Sequence, residues 1–491
     1  CRPPHLSVSR KNESDLGESG STPVDEASSG PRPPRLVTAS WGDKSFGPQV
    51  AAWAKANMQI EMFPWQIEAI NGMLEVDEQN RLRHRFALVS VGRQNGKTKG
   101  LLAPLIGWWL TYYAAQKGEP QNVMSTAHKL DVAEDVANVL FPILEEQFGF
   151  ETYRSFGRKE AFHAGGSRWR IVSSGESAGH GTSNDLVVVD EIWNVKPEVI
   201  EGGLLPTQTA RPAPFAFFTS TAGSEESKFF IRWRERGMQQ IETGQPGRLY
   251  MAEWSPPPNV DPTERRWWAW ANPALGYTIT EQELEDKLEA LERGEFVRHH
   301  CNLWTSSIGS WLPHGAWEGL EVDDPMPAGG ILAVDSNATD MRYVGVRVAQ
   351  REDGRYQADT AFAVESQDEM WEQIHAVMAD RSVQLALTPG LAAICPLDLS
   401  RRMTIWGYQE INRYTAIVKG MILEGRMAHN GGMTLTEQVN RAVAGRTGTS
   451  ITLTSQKSPG PIEQCRCMVA AAGMAAKPAS NVRKPMIGMS R

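Results

Sequence analysis

Residues Arg85 to Lys99 read RFALVSVGRQNGKTK: an apolar run, then Gly92-Arg93-Gln94-Asn95-Gly96-Lys97-Thr98, then the start of a helical pattern. A strand that turns through such a loop into a helix N-terminus is a phosphate cradle, because loop N–H groups and the helix dipole face one anion. There Lys97 reaches the β- and γ-phosphates and the Thr98 hydroxyl ligates Mg²⁺. One position departs from the usual pattern. Val91 stands where glycine is normal, and Gly92 is the only earlier glycine of the loop.

About ninety residues on, Leu186-Val187-Val188-Val189-Asp190-Glu191 is an apolar run ending in two carboxylates. It reads as a buried parallel strand. A lone Asp-Glu pair after a strand is ordinarily a helix start. Behind a phosphate loop, Asp190 is expected to hold Mg²⁺ through water, and Glu191 to take a proton from the water attacking the γ-phosphate.

At 491 residues with 41% apolar content the chain is long enough for two globular units. No apolar run approaches a membrane span, so no membrane association is expected. The net charge of -8 gives no global basic footprint, and any nucleic-acid contact must be local. The five cysteines include no C-x-x-C pair, which indicates neither a zinc site nor a disulfide scaffold and suits a reducing compartment. The chain opens on Cys1 instead of Met, and no targeting signal is expected there. Residues 1–36 are polar and rich in Ser, Pro and Gly, and residues 477–491 are similar but basic; both are expected to be disordered tails.

Residues 37–304 alternate apolar strands with helical patterns, the signature of an α/β domain with a largely parallel sheet. Strands are expected at Phe86–Val91, Asn122–Ala127, Trp169–Ser173, Leu186–Asp190, Phe215–Ser220 and Leu249–Glu253. Helices are expected at Lys97–Ala115, Asp131–Gln147, Glu225–Glu242 and Glu281–Arg293. Ligands of such sheets collect at the carboxyl ends of the strands. At that edge Thr219, Ser220 and Thr221, followed by Ala222-Gly223, offer hydroxyls suited to sensing a γ-phosphate and relaying its loss. Upstream, Gln66 in Met62-Phe63-Pro64-Trp65-Gln66 lies where nucleic-acid motors place an adenine-reading glutamine; the alternative is an exposed residue of a capped amphipathic helix. Gly175–Asn184 is a small polar loop that could touch DNA or a neighbouring subunit, with His180 an ordinary loop residue.

Residues 305–328, rich in Gly and Pro, read as a linker, and a new fold occupies 329–476. Strands are expected at Ile331–Asp335, Tyr343–Ala349, Ala361–Glu365, Ala392–Asp398 and Ile451–Thr454, with helices at Ala416–Leu423, Thr436–Ala444 and from Ile462-Glu463 onward. Asp335, Asp398 and Glu463 would then sit on two strand ends and a helix start. Three such acids are what two-metal phosphodiester cleavage requires, although each one singly is a common turn or cap residue. Asp340, Glu365 and Asp185 are the other candidate acids, and Lys457, Arg401, Arg402, Lys419 and Arg426 are candidate DNA contacts.

At these motifs the chain resembles the large subunit of the terminase of tailed double-stranded DNA phages. Arg93-Gln94-Asn95-Gly96-Lys97-Thr98 is similar to that family's deviant phosphate loop, in which Val91 is no anomaly. Leu186–Glu191 resembles its acidic strand, Phe218–Gly223 its coupling motif, and Trp270-Ala271-Asn272-Pro273-Ala274-Leu275-Gly276 a segment late in its ATPase domain. The likeness covers roughly residues 40–476.

The resemblance implies a P-loop NTPase fold followed by an RNase-H-like nuclease fold. It implies that Gly92, Arg93, Gln94, Asn95, Gly96, Lys97, Thr98 and Asp190 bind ATP and Mg²⁺, that Glu191 activates water, and that Arg93 stabilises transition-state charge. Thr219–Thr221 would couple hydrolysis to movement. Asp335, Asp398 and Glu463 carry over as ligands of two Mg²⁺ or Mn²⁺ ions, with Glu463 a departure where the family often has aspartate. The implied function is ATP-driven packaging of double-stranded viral DNA into procapsids, with endonucleolytic cutting of concatemers. Its implied partners are double-stranded DNA, the portal protein, a small terminase subunit and further copies in a ring, five by resemblance. Its implied place is the host cytoplasm, docked on the procapsid and absent from the mature virion. Two other functions remain open: an ATP-driven helicase or translocase without cleavage, and a nucleotide-binding capsid-assembly protein without turnover.

Overall fold

A computed structural model describes residues 32–476 apart from residues 43, 128–129, 156–157, 174–180, 225, 258–259, 305–310, 314, 338–341, 448–449 and 459. His180, Asp340 and most of both expected tails lie outside the described residues. No helix among the described residues is long and apolar enough to cross a membrane.

The N-terminal unit is built on one nine-stranded sheet. Its centre runs Leu249–Glu253, Phe86–Ser90, Phe215–Ser220, Leu186–Asp190, Asn122–Ala127 and Arg168–Ile171, every neighbouring pair parallel. Strands Leu186–Asp190 and Phe215–Ser220 are buried along their whole length, because parallel strands need helices on both faces. All six expected strands are present within two residues. The outer hairpin Glu151–Ser155 and Arg158–Phe162 was not anticipated: its edge strand Glu151–Ser155 is polar and largely exposed, and its inner strand buries only Glu160 and Ala161, too little for a core periodicity. After the phosphate loop the chain stays helical from Thr98 to Lys117, mixing α and π turns, and stops at Gly118 with φ 68°. Gly107 of this helix must lack a side chain, since a Cβ there would meet Trp53 at 2.0 Å.

The C-terminal unit has a six-stranded sheet in the order Met403–Ile405, Val383–Leu387, Gly330–Asn337, Arg342–Gln350, Tyr356–Val364 and Met427–Ala428. The strands from Gly330 to Val364 form an antiparallel meander, and Val383–Leu387 and Met403–Ile405 add parallel to its first strand. This is the RNase-H-like arrangement. Helices Tyr408–Leu423 and Glu463–Ala475 cover one face, and Gln367–Met378 the other.

One expected strand is wrong. Ala392–Asp398 is not extended; helices Pro389–Ala392 and Leu397–Ser400 flank it, and the strand beside Gly330–Asn337 is Val383–Leu387. Pro389 in the first turn and Pro396 at the N-cap favour these short helices, and Pro396 lacks the N–H a sheet ladder needs.

Two expected boundaries also shift. Leu36 is buried in a short strand pairing with Glu253, so packed chain begins before residue 37. Within the expected linker, Trp311, Leu312 and Trp317 belong to the core of the C-terminal unit. Trp317 stacks on His429 with ring centroids 4.3 Å apart, and its Nε1 donates to Thr436 Oγ1 at 3.2 Å. Replacing Trp317 by alanine is expected to destabilise this unit by about 3–5 kcal/mol, seen as a lower urea midpoint.

Candidate functional site

The phosphate loop, the acidic pair and the hydroxyl segment meet because strand Phe215–Ser220 lies between the other two strands. Ser220 is in register with Ser90, and Phe218 with Val189. Val91 is fully buried in the core and its N–H donates to Ser220 O at 3.1 Å, which explains an apolar residue at that position. Gly92 cannot carry a side chain: a Cβ would lie 2.8 Å from Asn272 Oδ1 and 2.9 Å from Ala271 O. Gln94 and Gly96 turn the loop with φ of 64° and 85°.

The loop is braced from outside. Asn95 Nδ2 donates to Gly92 O at 3.0 Å and Asn272 Oδ1 at 3.1 Å, and Asn95 Oδ1 accepts from Ala274 N at 3.0 Å. Asn272 Nδ2 is itself fixed on His300 O at 2.7 Å. The segment around Asn272 therefore shapes the loop. Gln66 is buried, so the exposed alternative does not hold. Its Oε1 accepts from Phe63 N at 2.8 Å and its Nε2 donates to Gly96 O at 3.2 Å, and Gly100 leaves room for the amide.

Lys97 Nζ lies 3.2 Å from Glu191 Oε1. Asp190 is buried, with Oδ1 accepting from Glu191 N at 2.9 Å. Glu191 itself is a non-glycine residue at φ 52°, local strain of the kind concentrated at functional sites. Trp193 Nε1 donates to Glu191 Oε2 at 2.8 Å, and Trp193 N to Ser220 Oγ at 3.2 Å. Burial, reinforced by Glu191, pushes Asp190 up to about 7 against the pull of Lys97. Burial acts on Glu191 too, but Lys97, Arg93 and Trp193 together hold its carboxyl below the usual range. The two carboxyls of the pair are thus pushed apart, Glu191 down and Asp190 up.

Arg93 is half-buried; its N–H donates to His299 O at 2.8 Å, and its charge acts on Glu191 and His299. Burial, with Arg93 and Arg298, pushes His299 down to about 4, so it is neutral near pH 7. Thr98 is half-buried at the start of the helix after Lys97. Thr219, Ser220 and Thr221 are fully buried, and the hydroxyls of Thr219 and Thr221 have no hydrogen-bond partner among the described residues.

Sequence reasoning missed Asn302, Trp193 and His299. Asn302, at φ 50°, accepts from Ala222 N at 2.6 Å and donates to Ser90 Oγ at 3.0 Å and Trp254 O at 2.8 Å, stitching three strand ends together. Nothing in Cys301-Asn302-Leu303 signals that role; Trp193, two residues after Glu191, could have been found from its spacing. The donor set fits a nucleotide polyphosphate with Mg²⁺: a buried lysine, a glycine-turned loop, Thr98, an acidic pair opposite and two unpartnered buried hydroxyls beside it.

In the C-terminal unit the structure brings two of the three expected acids together. Asp335 and Glu463 are both buried, and the charge of Glu463 acts on Asp335. Glu463 accepts from Asn337 Nδ2 at 2.6 Å and from Arg342 Nη2 at 3.2 and 3.1 Å. Asp335 Oδ1 accepts from Ser336 N at 2.9 Å; its Oδ2 lacks a hydrogen bond, with Arg466 Nη1 3.3 Å away. Burial pushes Asp335 up to about 6, opposed mainly by Arg466.

Asp398 stands apart on helix Leu397–Ser400, exposed and 3.0 Å from His375 Nε2. Among the described residues no group of three or more acids, histidines or cysteines is placed to hold a metal. Asp335, whose Oδ2 pairs with Arg466 without a hydrogen bond, and Glu463 fit one hard divalent cation; the expected three-acid set is not assembled. Of the other candidates, Asp185 is clamped by Arg211 at 2.5 and 2.7 Å, and Glu365 is exposed near Arg236. Arg402 is spent on the carbonyls of Met378, Asp380 and Val383.

Fold and site define the class: a P-loop-type α/β fold followed by an RNase-H-like α/β fold. More particularly, the chain is similar to the large terminase subunit of Enterobacteria phage HK97, 23% identical over 247 residues. That match spans 48% of this chain and 47% of the relative, about half of its length. The crystal structure of the HK97 large terminase superposes with a TM-score of 0.50 at 18% identity, over 88% of this chain and 100% of that one. The large terminase of a thermophilic bacteriophage gives 0.37 at 9% identity, over 84% and 98%. No family model matches the chain.

The raised Asp190 carboxyl makes a signed prediction. Its ordinary value is 3.8 and its folded value about 7, so folding favours its protonated form and stability is lost as pH rises between them. In nucleotide- and metal-free protein, Asp190→Asn is expected to raise the melting temperature at pH 8, with the gain shrinking as pH falls from 7 towards 4.

Proposed function

We propose that this chain is an ATP-hydrolysing motor that drives double-stranded viral DNA into procapsids and cuts concatemeric DNA with a metal-dependent nuclease centre. The observation that carries it is Lys97 Nζ 3.2 Å from Glu191 Oε1 across one sheet edge, a phosphate ligand and a water-activating base in contact. ATP binding would draw Lys97 to the phosphates and release Glu191 to take the proton of the attacking water. Residues Gly92 to Thr98 would wrap the phosphates, Thr98 and Asp190 would hold Mg²⁺, and Arg93 would offset charge at the γ-phosphate. Mg²⁺ supplies neutralisation of the phosphate oxygens. Thr219, Ser220 and Thr221 sense the change, and Trp193 keeps Glu191 aimed. Gln66, whose amide holds Phe63 and Gly96, sets the loop rather than being free to read a base.

In the second centre Asp335 and Glu463 would hold a Mg²⁺ or Mn²⁺ ion that activates the phosphodiester. Asp398, expected as a further ligand, stands outside that pair. The partners of this reading, namely duplex DNA, a portal, a small terminase subunit and a ring of copies on a cytoplasmic procapsid, rest on the similarity to the HK97 large terminase. DNA contacts would be to the backbone, since a motor indifferent to sequence cannot depend on bases. The two-acid centre also favours a second reading, a translocase without cleavage.

Glu191→Gln is expected to lower the ATP turnover rate by roughly 10²–10⁴-fold with nucleotide binding retained, measured by phosphate release and by titration. Undetectable turnover in the wild type, even with DNA and procapsids, would sink the motor reading. For the nuclease, wild type and Asp398→Ala are expected to nick supercoiled DNA with Mn²⁺, and Asp335→Ala to do so no faster than buffer. Equal cleavage by wild type and Asp335→Ala selects the translocase.

A further inference from the structure

Helix Lys228–Thr243 follows the Thr219–Gly223 segment and touches both acidic centres. At its N-cap, Ser227 Oγ donates to Trp193 O at 2.5 Å, and Trp193 Nε1 holds Glu191. In its middle, Glu235 is fully buried against the C-terminal unit. Glu235 accepts from Gln438 Nε2 at 3.1 Å, from Arg342 Nη1 at 3.3 Å and from Arg441 Nη2. Arg342 turns its other terminal nitrogen onto both oxygens of Glu463. Gln438 also accepts from Gln464 N at 2.8 Å, tying the same helix to the residue after Glu463.

Arg342 thus bridges a carboxylate of the ATPase unit and an acid of the second centre. It is 8% exposed and bonded to Glu235 of helix Lys228–Thr243. A guanidinium spread over both Glu463 oxygens takes the lone pairs a cation needs and opposes it with its own charge. The grip depends on docking: buried and pinned by Glu235 the pair is strong, whereas in water an exposed arginine–carboxylate pair contributes almost nothing. Arg342 also lines a shallow cleft with Arg232, Arg236, Gln239 and Glu365, on the side of helix Lys228–Thr243.

We infer that Arg342 is a latch between the two units: while helix Lys228–Thr243 is docked, Glu235 pins Arg342 on Glu463 and keeps divalent cations off the Asp335–Glu463 pair. Withdrawal of the helix, whose first turn is tied to the Glu191 site, frees Glu463 for the cation. The nuclease is therefore slowed, not abolished, while the units are docked as here. The inference rests on the metal-dependent nuclease reading.

The test measures Mn²⁺ binding to the nucleotide-free full chain by EPR, with Asp335→Ala subtracted to remove other sites, alongside nicking of supercoiled DNA. Arg342→Gln is expected to bind Mn²⁺ roughly 10-fold more tightly than wild type, the scale on which neighbours of ligands tune metal sites, and to nick faster. Glu235→Gln keeps its bond to Gln438 and is expected to move both readouts the same way by less, which guards against a misfolded Arg342→Gln. Unchanged or weaker Asp335-dependent binding in both variants overturns the latch and leaves the nuclease reading standing. Absence of any Asp335-dependent Mn²⁺ binding in wild type and both variants overturns the two together.

Discussion

The structure depends on strand Phe215–Ser220 pairing in parallel with Phe86–Ser90 on one side and Leu186–Asp190 on the other. That pairing fixes the distance between a loop and an acid pair separated by about ninety residues of sequence. A slip of one residue in either register would turn the side chains of that strand to the opposite face. The strand is buried throughout, so its register is held by core packing on both faces. Its last residues carry the hydroxyls, and the chain then enters helix Lys228–Thr243. Geometry at the nucleotide site is in this way continuous with a helix that faces the second unit.

Both centres place buried acids among arginine or lysine. At the first, Lys97 answers Glu191 while Asp190 is left half-compensated. At the second, Arg342 answers Glu463 and Arg466 answers Asp335. Buried carboxylates persist only with such partners, because an unpaired charge in the interior is too costly. A cation-binding site whose acids are internally paired must exchange partners before it can bind. For the first centre a polyphosphate can take Lys97 away. For the second, release comes from movement of the neighbouring unit.

Much of this was legible in the sequence. The central strands of the first unit are long apolar runs ending in chemistry, and period and punctuation locate them within two residues. The phosphate loop and Asp190-Glu191 are both marked by residue type and order, and the sheet brings them together. What was not legible arises from contacts distant in sequence. Asn302 is one polar residue after a helix, yet its amide joins three strand ends. Asn95 and Asn272 lock together across the loop by an exchange no local pattern reveals. Ala392–Asp398 looked like a strand because its apolar residues outweighed Pro396, and the misplaced acid at its end followed from that. The proline was the stronger signal, since a missing N–H is a steric and hydrogen-bonding fact whereas a short apolar run fits helix and strand alike.

The central claim is that residues Gly92–Thr98 and Asp190–Glu191 form one nucleotide site. A crystal structure with Mg²⁺ and a non-hydrolysable ATP analogue tests it most directly. The account predicts a triphosphate wrapped by the loop, with Lys97 Nζ moved from Glu191 to the β- and γ-phosphates and Glu191 facing a water in line with the γ-phosphate. A triphosphate bound elsewhere, or a loop that keeps its Lys97–Glu191 pair at saturating nucleotide, would contradict it.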